Sequence, residues 1–237
     1  MTTQQTLTIR AAADRGMADF GWLKSAHTFS FGSYHDPKHM QYGVLRVIND
    51  DVVSGGGGFP AHPHQDAEIF SYVLEGALEH KDSMGNGSIV GEGGVQYMSA
   101  GAGVTHSEFN PSASEQMRFL QVWLIPDTRG GAPRYETLNI EPSQKQGKLK
   151  LFLSHDGRDG SIKTLAKANV YAATLNDGET VKHDLKLTPR AWVQVAGGTL
   201  MLNGQQLQTG DGVAIDGGGT IELNNGVDAE VLLFEML

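Results

Sequence analysis

The stretch Gly58-Phe-Pro-Ala-His62-Pro-His64-Gln-Asp-Ala-Glu68 contains two histidines two residues apart. A later stretch, His106-Ser-Glu108, has a histidine and a glutamate at the same spacing. Side chains at i and i+2 of a β-strand point to the same face, so each segment offers a pair of ligand side chains. If the two strands meet inside a β-barrel, three imidazoles and one carboxylate converge there. The sequence therefore predicts a metal site formed by His62, His64, His106 and Glu108.

The alternative is that these histidines have purely structural roles. His62 and His64 could be hairpin residues, and His106 could be an ordinary hydrogen-bonded core histidine. Either doublet alone would favour that interpretation. Two such doublets in a chain with only nine histidines favour the metal site, because neutral imidazole is the commonest protein metal ligand.

The composition limits which classes of protein, and which binding partners, fit this chain. The chain has 237 residues, a formal net charge of −9 and no cysteine, and this length accommodates one large β-domain or two β-barrels of ordinary size. The negative charge disfavours direct binding to nucleic acid and to anionic membranes. The lack of cysteine excludes thiolate catalysis and cysteine-ligated metals. No apolar stretch is suited to secretion or to crossing a bilayer, so we expect a cytoplasmic protein.

Segments rich in β-forming residues recur throughout, separated by glycine-rich turns, as in all-β folds. One strand is predicted over 44–49, with Asn49-Asp50-Asp51 turning the chain after it. The four-glycine run 55–58 lacks the Gly-Lys-Ser/Thr ending of a phosphate loop. It is predicted to bend the backbone before the first ligand strand. Asn203-Gly204 is a strong signal for a two-residue hairpin.

Residues 126–150 form the best domain boundary, because they are polar and rich in proline and glycine. We predict a barrel with the metal site over 1–135 and a second barrel without metal over 136–237. The second half has only His155 and His183, far apart in sequence. The expected fold is therefore all-β, with two tandem barrels and few short helices.

Several longer motifs resemble the pirin family, most closely its bacterial members with quercetinase activity. The family resemblance rests on Gly21-Trp-Leu, His27-Thr-Phe-Ser-Phe31, the segment 45–50, His62-Pro-His64, Asp82-Ser-Met-Gly-Asn86 and His106-Ser-Glu108. The glycine and histidine spacings are similar to the two cupin motifs. The resemblance implies two tandem cupin, jelly-roll-like barrels with metal only in the first.

In the pirin pattern the carboxylate ligand is the glutamate after the third histidine, which falls here on Glu108. Many other cupins use a glutamate in the first motif, which would be Glu68. The resemblance therefore implies that Glu68 lies in a second shell or in the cavity. His27, Phe59 and Phe109 are further candidates for the cavity wall, with ordinary core packing as the alternative.

The activity that the resemblance implies is that of quercetin 2,3-dioxygenase, which opens the flavonol ring with O₂ and releases carbon monoxide. One divalent ion per chain is expected, foremost Fe(II). Ni, Co, Mn, Cu and Zn are also compatible with nitrogen and oxygen ligands. Glu108 is the candidate catalytic residue, because a carboxylate at the ion could accept a phenolic proton.

Two other functions stay open at the level of sequence. Resemblance to eukaryotic pirin would imply an iron-dependent, redox-sensing regulatory module that binds a protein partner and has no turnover of its own. It could also catalyse a different cupin reaction on another small substrate. The expected partners are a small aromatic substrate and O₂, with a possible protein partner, and the protein could be a monomer or a dimer.

Overall fold

The computed structural model of the chain describes residues 5–185 and 190–237, and most of their regular structure is β-strand. The strands of the first part are β1 (Thr6–Arg10), β2 (Gly16–Asp19), β3 (Leu23–His27), β4 (Leu45–Val53), β5 (Gly58–His64), β6 (Glu68–Glu75), β7 (Ala77–Asp82), β8 (Gly87–Gly91), β9 (Gly94–Ser99), β10 (Val104–Phe109), β11 (Met117–Leu124) and β12 (Arg134–Asn139).

The helix α1 (Pro142–Lys145) follows. The later strands are β13 (Lys150–Ser154), β14 (Ile162–Lys163), β15 (Ala168–Leu175), β16 (Thr180–Asp184), β17 (Arg190–Leu202), β18 (Gln205–Gln208), β19 (Gly212–Asp216) and β20 (Thr220–Met236). Two 3₁₀ turns lie at Ala12–Asp14 and Arg158–Gly160. No helix in the described ranges is long and apolar enough to span a membrane. The all-β prediction is confirmed.

The first unit, which carries the candidate ligands, comprises Gly16–Ile140 and Thr164–Ala166. It contains a seven-stranded antiparallel sheet in the order β12-β9-β6-β11-β4-β3-β2 and a four-stranded antiparallel sheet in the order β5-β10-β7-β8. Part of its core is an apolar cluster that includes Val73, Leu78 and Phe119. Burying such side chains is the main favourable term in folding.

The second unit contains the described residues up to Arg15, together with Glu141–Lys163 and Lys167–Leu237. Its nine-stranded sheet follows the order β1-β19-β17-β20-β15-β13-β14, with β16 beside β20 and β18 beside β17. Strands β17 and β20 are each continuous, over 13 and 17 residues. Register shifts along their pairing let the strands bend without ending, as β-bulges do.

The compact units differ from the predicted division between residues 135 and 136. Strand β1, at the start of the chain, pairs with β19 of the second unit. Strand β12 crosses the predicted limit and pairs with β9 of the first unit. Composition marks where a chain is polar, but it does not reveal which distant strand completes a sheet.

The predicted turn at 49–51 is wrong, because these residues lie inside strand β4 and are buried. Strand β4 runs between β3 and β11, so both of its edges have backbone partners. Polar side chains there also find partners: Arg118 donates two hydrogen bonds to Asp50 at 2.8 and 2.9 Å. By contrast, the predicted hairpin at Asn203-Gly204 is confirmed, since it joins the paired strands β17 and β18 with positive φ at both residues.

Candidate metal centre

Three of the predicted ligands meet where strands β5 and β10 pair. His62 lies opposite His106 in this antiparallel ladder, and His64 lies two residues further along β5. The ring centroids are 4.7 Å apart for His62 and His64, 4.5 Å for His62 and His106, and 4.9 Å for His64 and His106. One ligand nitrogen from each ring lies within 4.8 Å of the other two. This spacing allows one ion to be bound by all three.

The hydrogen bonds of these rings fit a bound cation. The Nε2 atom of His106 is buried and has no hydrogen-bond partner among the described residues. Such an atom costs about 1–3 kcal/mol, and coordination would remove that cost. The Nδ1 atom of His62 donates to the carbonyl oxygen of Pro60 at 2.8 Å, because a carbonyl can only accept. This bond fixes the tautomer that leaves Nε2 as the ligand atom.

The protonation states also suit coordination. Burial, with the neighbouring His62, lowers the pKa of His64 to about 4. Burial, with the neighbouring histidines, lowers the pKa of His106 to about 3. Both imidazoles are therefore neutral near pH 7, and a metal can bind without displacing a proton from either ring.

Glu108 is buried on the same strand as His106, but its carboxylate lies outside the group of three nitrogens. It accepts hydrogen bonds from Gln121 Nε2 at 3.0 Å, from Ser71 Oγ at 3.3 Å and from Gln96 Nε2. Burial raises the pKa of Glu108 to about 7, although these donors act in the opposite direction. The structure therefore holds this carboxylate in a network of amides and a hydroxyl.

A buried histidine that was not predicted from the sequence, His80, contacts the ring of His106. The Nδ1 atoms of His80 and His106 are 3.4 Å apart, and His80 Nε2 is 3.1 Å from a carboxylate oxygen of Asp82. The His80 ring also stacks on Tyr135 with centroids 4.0 Å apart. Asp82 is the last residue of strand β7 and the first of the motif Asp82-Ser-Met-Gly-Asn86, to which the sequence alone assigned no role in the site. Its position two residues after a histidine on a strand was the available signal.

A cavity of about 520 Å³ opens beside the histidines. Both His62 and His64 line it, and so do His27 and Phe59, two of the predicted wall residues. The rest of its wall consists of Ala18, Phe20, Leu23, Ser25, Phe31, Gly32, Ser33, Asn49, Asp51, Pro60, Ala61, Gln121 and Trp123.

The other two predicted wall residues, Glu68 and Phe109, do not line this cavity. The buried carboxylate of Glu68 accepts hydrogen bonds from Ser99 at 2.6 Å, from Thr164 and the backbone of Leu165 at 2.9 Å each, and from Tyr97. It therefore anchors a distant segment of the same unit. Phe109 is 37 % exposed, and its ring lies close to the backbone of Gly58.

A row of polar side chains crosses the seven-stranded sheet, and the sequence analysis did not identify it. In register, its members are Gln96 on β9, Ser71 on β6, Gln121 on β11, Asn49 on β4 and His27 on β3. All five are buried. The signal was that Ser71, Gln96 and Gln121 each stand between two apolar or aromatic neighbours within a strand, because polar residues are seldom buried there without partners.

Two family models match the chain: "Pirin" over residues 9–124 and "Quercetinase C-terminal cupin domain" over residues 151–236. A protein of Escherichia coli strain K12 named quercetin 2,3-dioxygenase is 46 % identical over 228 residues, which cover 96 % of this chain and 97 % of that protein. A pirin-like protein of Caulobacter vibrioides is 39 % identical, covering 93 % of this chain and 95 % of its own length.

Comparison with solved structures also finds a bacterial pirin. The crystal structure of the bacterial pirin YhhW from Escherichia coli in complex with nickel(II) matches with a TM-score of 0.92 and 44 % identity, covering 98 % of this chain and 99 % of that one. The predicted resemblance to quercetinase-type bacterial pirins is confirmed, as is the two-cupin fold. The chain belongs to the pirin family.

Proposed function

We propose that this protein is a metal-dependent dioxygenase that opens a flavonol ring with O₂ and releases carbon monoxide. The observation that carries the proposal is the convergence of three imidazole nitrogens beside a cavity lined by aromatic side chains. Two relatives that match 96 % of the chain are named quercetin 2,3-dioxygenase, which supports the same reaction class. A cavity of about 520 Å³ is in the size range of small-molecule sites.

The proposed ligands are His62, His64 and His106, with Glu108 as the fourth. A bound divalent ion would act as a Lewis acid toward a substrate hydroxyl. Fe(II) is the foremost candidate, and the nickel(II) complex of YhhW makes nickel a second metal to test. Neutral nitrogen and carboxylate ligands suit either ion.

Glu108 is the proposed proton acceptor. Burial raises the pKa of Glu108 to about 7 in the metal-free protein, and a bound cation would lower it, so the ligand carboxylate would be ionised and able to accept a proton. The amide groups of Gln96 and Gln121 hold one carboxylate oxygen each, so the side chain has a fixed direction. Phe31, Phe59 and Trp123 on the cavity wall would limit access of water to the reacting groups.

The test is to load the protein separately with Fe(II) and Ni(II), supply quercetin and O₂, and measure carbon monoxide. We expect stoichiometric release that is lost in His62→Ala and falls by more than about 100-fold in Glu108→Gln. His155→Ala is a matched control, because His155 is exposed in the other unit. Absence of carbon monoxide with any divalent metal would contradict the proposal and favour the regulatory protein-binding module.

A further inference from the structure

An exposed aromatic residue lines the cavity that contains the histidines. Among the described residues, eight large hydrophobic side chains are exposed, and Phe20 is the only one of them in the wall of this cavity. The residue is 64 % exposed. An exposed ring forgoes the free energy that burial of a phenylalanine provides, so a ligand that covers it gains that contribution.

The backbone of the turn between β2 and β3 fixes the position of this residue. The N–H of Phe20 donates to the carbonyl oxygen of Leu23 at 2.9 Å, and the N–H of Gly21 donates to a carboxylate oxygen of Asp19 at 2.9 Å. Gly21 has a φ of +81°, which glycine adopts without the steric cost that other residues meet. The turn therefore presents Phe20 at a defined place beside the cavity.

Ring contacts connect the same turn to the candidate metal centre. The rings of Trp22 and Phe59 meet edge to face with centroids 5.2 Å apart, and those of Phe59 and His62 are 6.5 Å apart. Leu23, Phe59 and His62 all line the cavity. One wall of the cavity therefore extends from His62, through Phe59, to the turn that carries Phe20.

Strand β2 also offers a surface residue for comparison. Ala18 and Phe20, two residues apart, line the cavity, whereas Met17 does not. This alternation is expected where side chains point in turn to opposite faces of a strand. Met17 is 72 % exposed, so it is an apolar residue of similar exposure that lies outside the cavity wall.

We propose that Phe20 is a specificity-determining residue, whose ring packs on the part of a flat ligand that lies farthest from the histidines. The inference rests on the proposed function and concerns the extent of the ligand: the cavity selects ligands with aromatic rings beyond the metal-binding group. Aromatic pairs contribute to affinity beyond the area that they bury. A ligand that consists of the metal-binding group alone would leave Phe20 in water.

The experiment compares two ligands that share the hydroxyl and keto groups expected at the metal. 3-Hydroxyflavone carries further aromatic rings, whereas 3-hydroxy-4-pyranone has none. Affinities are measured from the absorbance of the ligand with Ni(II)-loaded protein under anaerobic conditions, so that no turnover occurs. Phe20→Ser should weaken the binding of 3-hydroxyflavone about 2- to 10-fold, the range for one aromatic pair, and leave the binding of 3-hydroxy-4-pyranone unchanged.

Met17→Ser is the matched control and should change neither affinity. Phe20→Trp should keep the affinity for 3-hydroxyflavone, because it retains an aromatic face at the turn. In air, Phe20→Ser should raise KM for 3-hydroxyflavone and leave kcat unchanged, since a contact that is the same before and during the reaction contributes only to binding.

An equal effect of Phe20→Ser on both ligands, or no effect on 3-hydroxyflavone, would overturn the inference. Weaker binding of 3-hydroxyflavone by Phe20→Ser, without any release of carbon monoxide by the unaltered protein in air, would support the Phe20 contact and contradict the proposed reaction. Release of carbon monoxide together with an unchanged affinity in Phe20→Ser would support the reaction and overturn the role of Phe20.

Discussion

His106 is the residue on which the candidate centre depends most closely, because its ring is buried and is approached from two sides. Its Nε2 atom has no hydrogen-bond partner among the described residues, and its Nδ1 atom lies 3.4 Å from His80. Burial lowers the pKa of His80, although its contact with Asp82 acts in the opposite direction. A neutral ring placed behind a ligand can fix the orientation of that ligand.

The first residue-scale prediction concerns His80. Replacing it with Ala should weaken metal binding about 10- to 100-fold, because His106 would lose the group that holds its orientation. His80→Gln, which keeps a polar group at this position, should restore part of the affinity. Metal affinity measured by competition with a chelator tests this, with the exposed His155→Ala as the control. Unchanged affinity in His80→Ala would show that His106 is positioned by its strand alone.

The second residue-scale prediction concerns Asp51. Burial, with the nearby Asp50 and Glu108, raises its pKa from 3.8 to about 7, although the Ser25 hydroxyl opposes the change. Between these two pKa values Asp51 is more fully protonated in the folded state than in the unfolded state. Its contribution therefore lowers the free energy of unfolding as pH rises from the first value to the second. Relative to the unaltered metal-free protein, Asp51→Asn should gain more than about 1 kcal/mol between pH 4 and pH 8.

Urea unfolding of both proteins across this pH range measures the difference. Glu92→Gln is the control, because Glu92 is exposed. Glu108 has a pKa raised in the same direction, so some pH dependence should persist in Asp51→Asn. Parallel stability curves for the two proteins would mean that Asp51 ionises in the folded state as it does in the unfolded chain.

At the scale of elements, the centre depends on how closely strand β5 approaches strand β10. Gly58 begins β5 and lies opposite Phe109. A Cβ atom added there would lie 2.3 Å from the Phe109 ring and 2.5 Å from the carbonyl oxygen of Glu108. These distances leave no room for a methyl group, so a side chain at residue 58 would push the two ligand strands apart.

Gly58→Ala is therefore expected to destabilise the fold by about 1–3 kcal/mol, which is the usual cost of overpacking. It should also weaken metal binding, because His62 and His106 lie on the separated strands. Gly91→Ala is a matched control in the same sheet, since an added Cβ there meets nothing within 4 Å and φ is not positive. Chemical unfolding and chelator competition should give Gly58→Ala a lower free energy of unfolding and a weaker metal affinity than Gly91→Ala. Similar values for the two variants would contradict the steric argument.

At the scale of the whole molecule, each unit has buried polar clusters that join strands far apart in sequence. In the second unit, Glu235 on β20 contacts His183 on β16 at 2.8 Å and accepts hydrogen bonds from Tyr171 at 2.8 Å and Asn169 at 3.0 Å, both on β15. These partners lower the pKa of Glu235, even though burial alone would raise it. The cluster therefore stabilises the nine-stranded sheet when Glu235 is ionised.

Because the pKa of Glu235 is depressed in the folded state, its stabilising contribution is present above about pH 4.5 and is lost as pH falls further. Glu235→Gln should lower the free energy of unfolding by about 1–3 kcal/mol at pH 7. The difference from the unaltered protein should shrink below about pH 4. Urea midpoints at several pH values test this against the exposed Glu92→Gln. A difference that does not change with pH would assign the loss to packing.

The sequence determined the chemistry of the ligands and the class of fold. Alternation along a strand places His62 beside His64, and it depends only on the geometry of the extended backbone. Turn residues such as Asn203-Gly204 act locally as well, so their hairpin was predictable. The pirin motifs extended this local information to the family, and the relatives confirm it.

The tertiary structure decided which polar residues share the cavity and which strands share a unit. Asn49 and Asp51 have the composition of a turn, yet β3 and β11 hold them inside a strand and supply their partners. Glu68 has ligand chemistry, but Tyr97, Ser99 and Thr164 occupy its carboxylate. The physical reason is the same in each case: a buried polar group takes its role from partners distant in sequence, and only the folded chain brings those partners together.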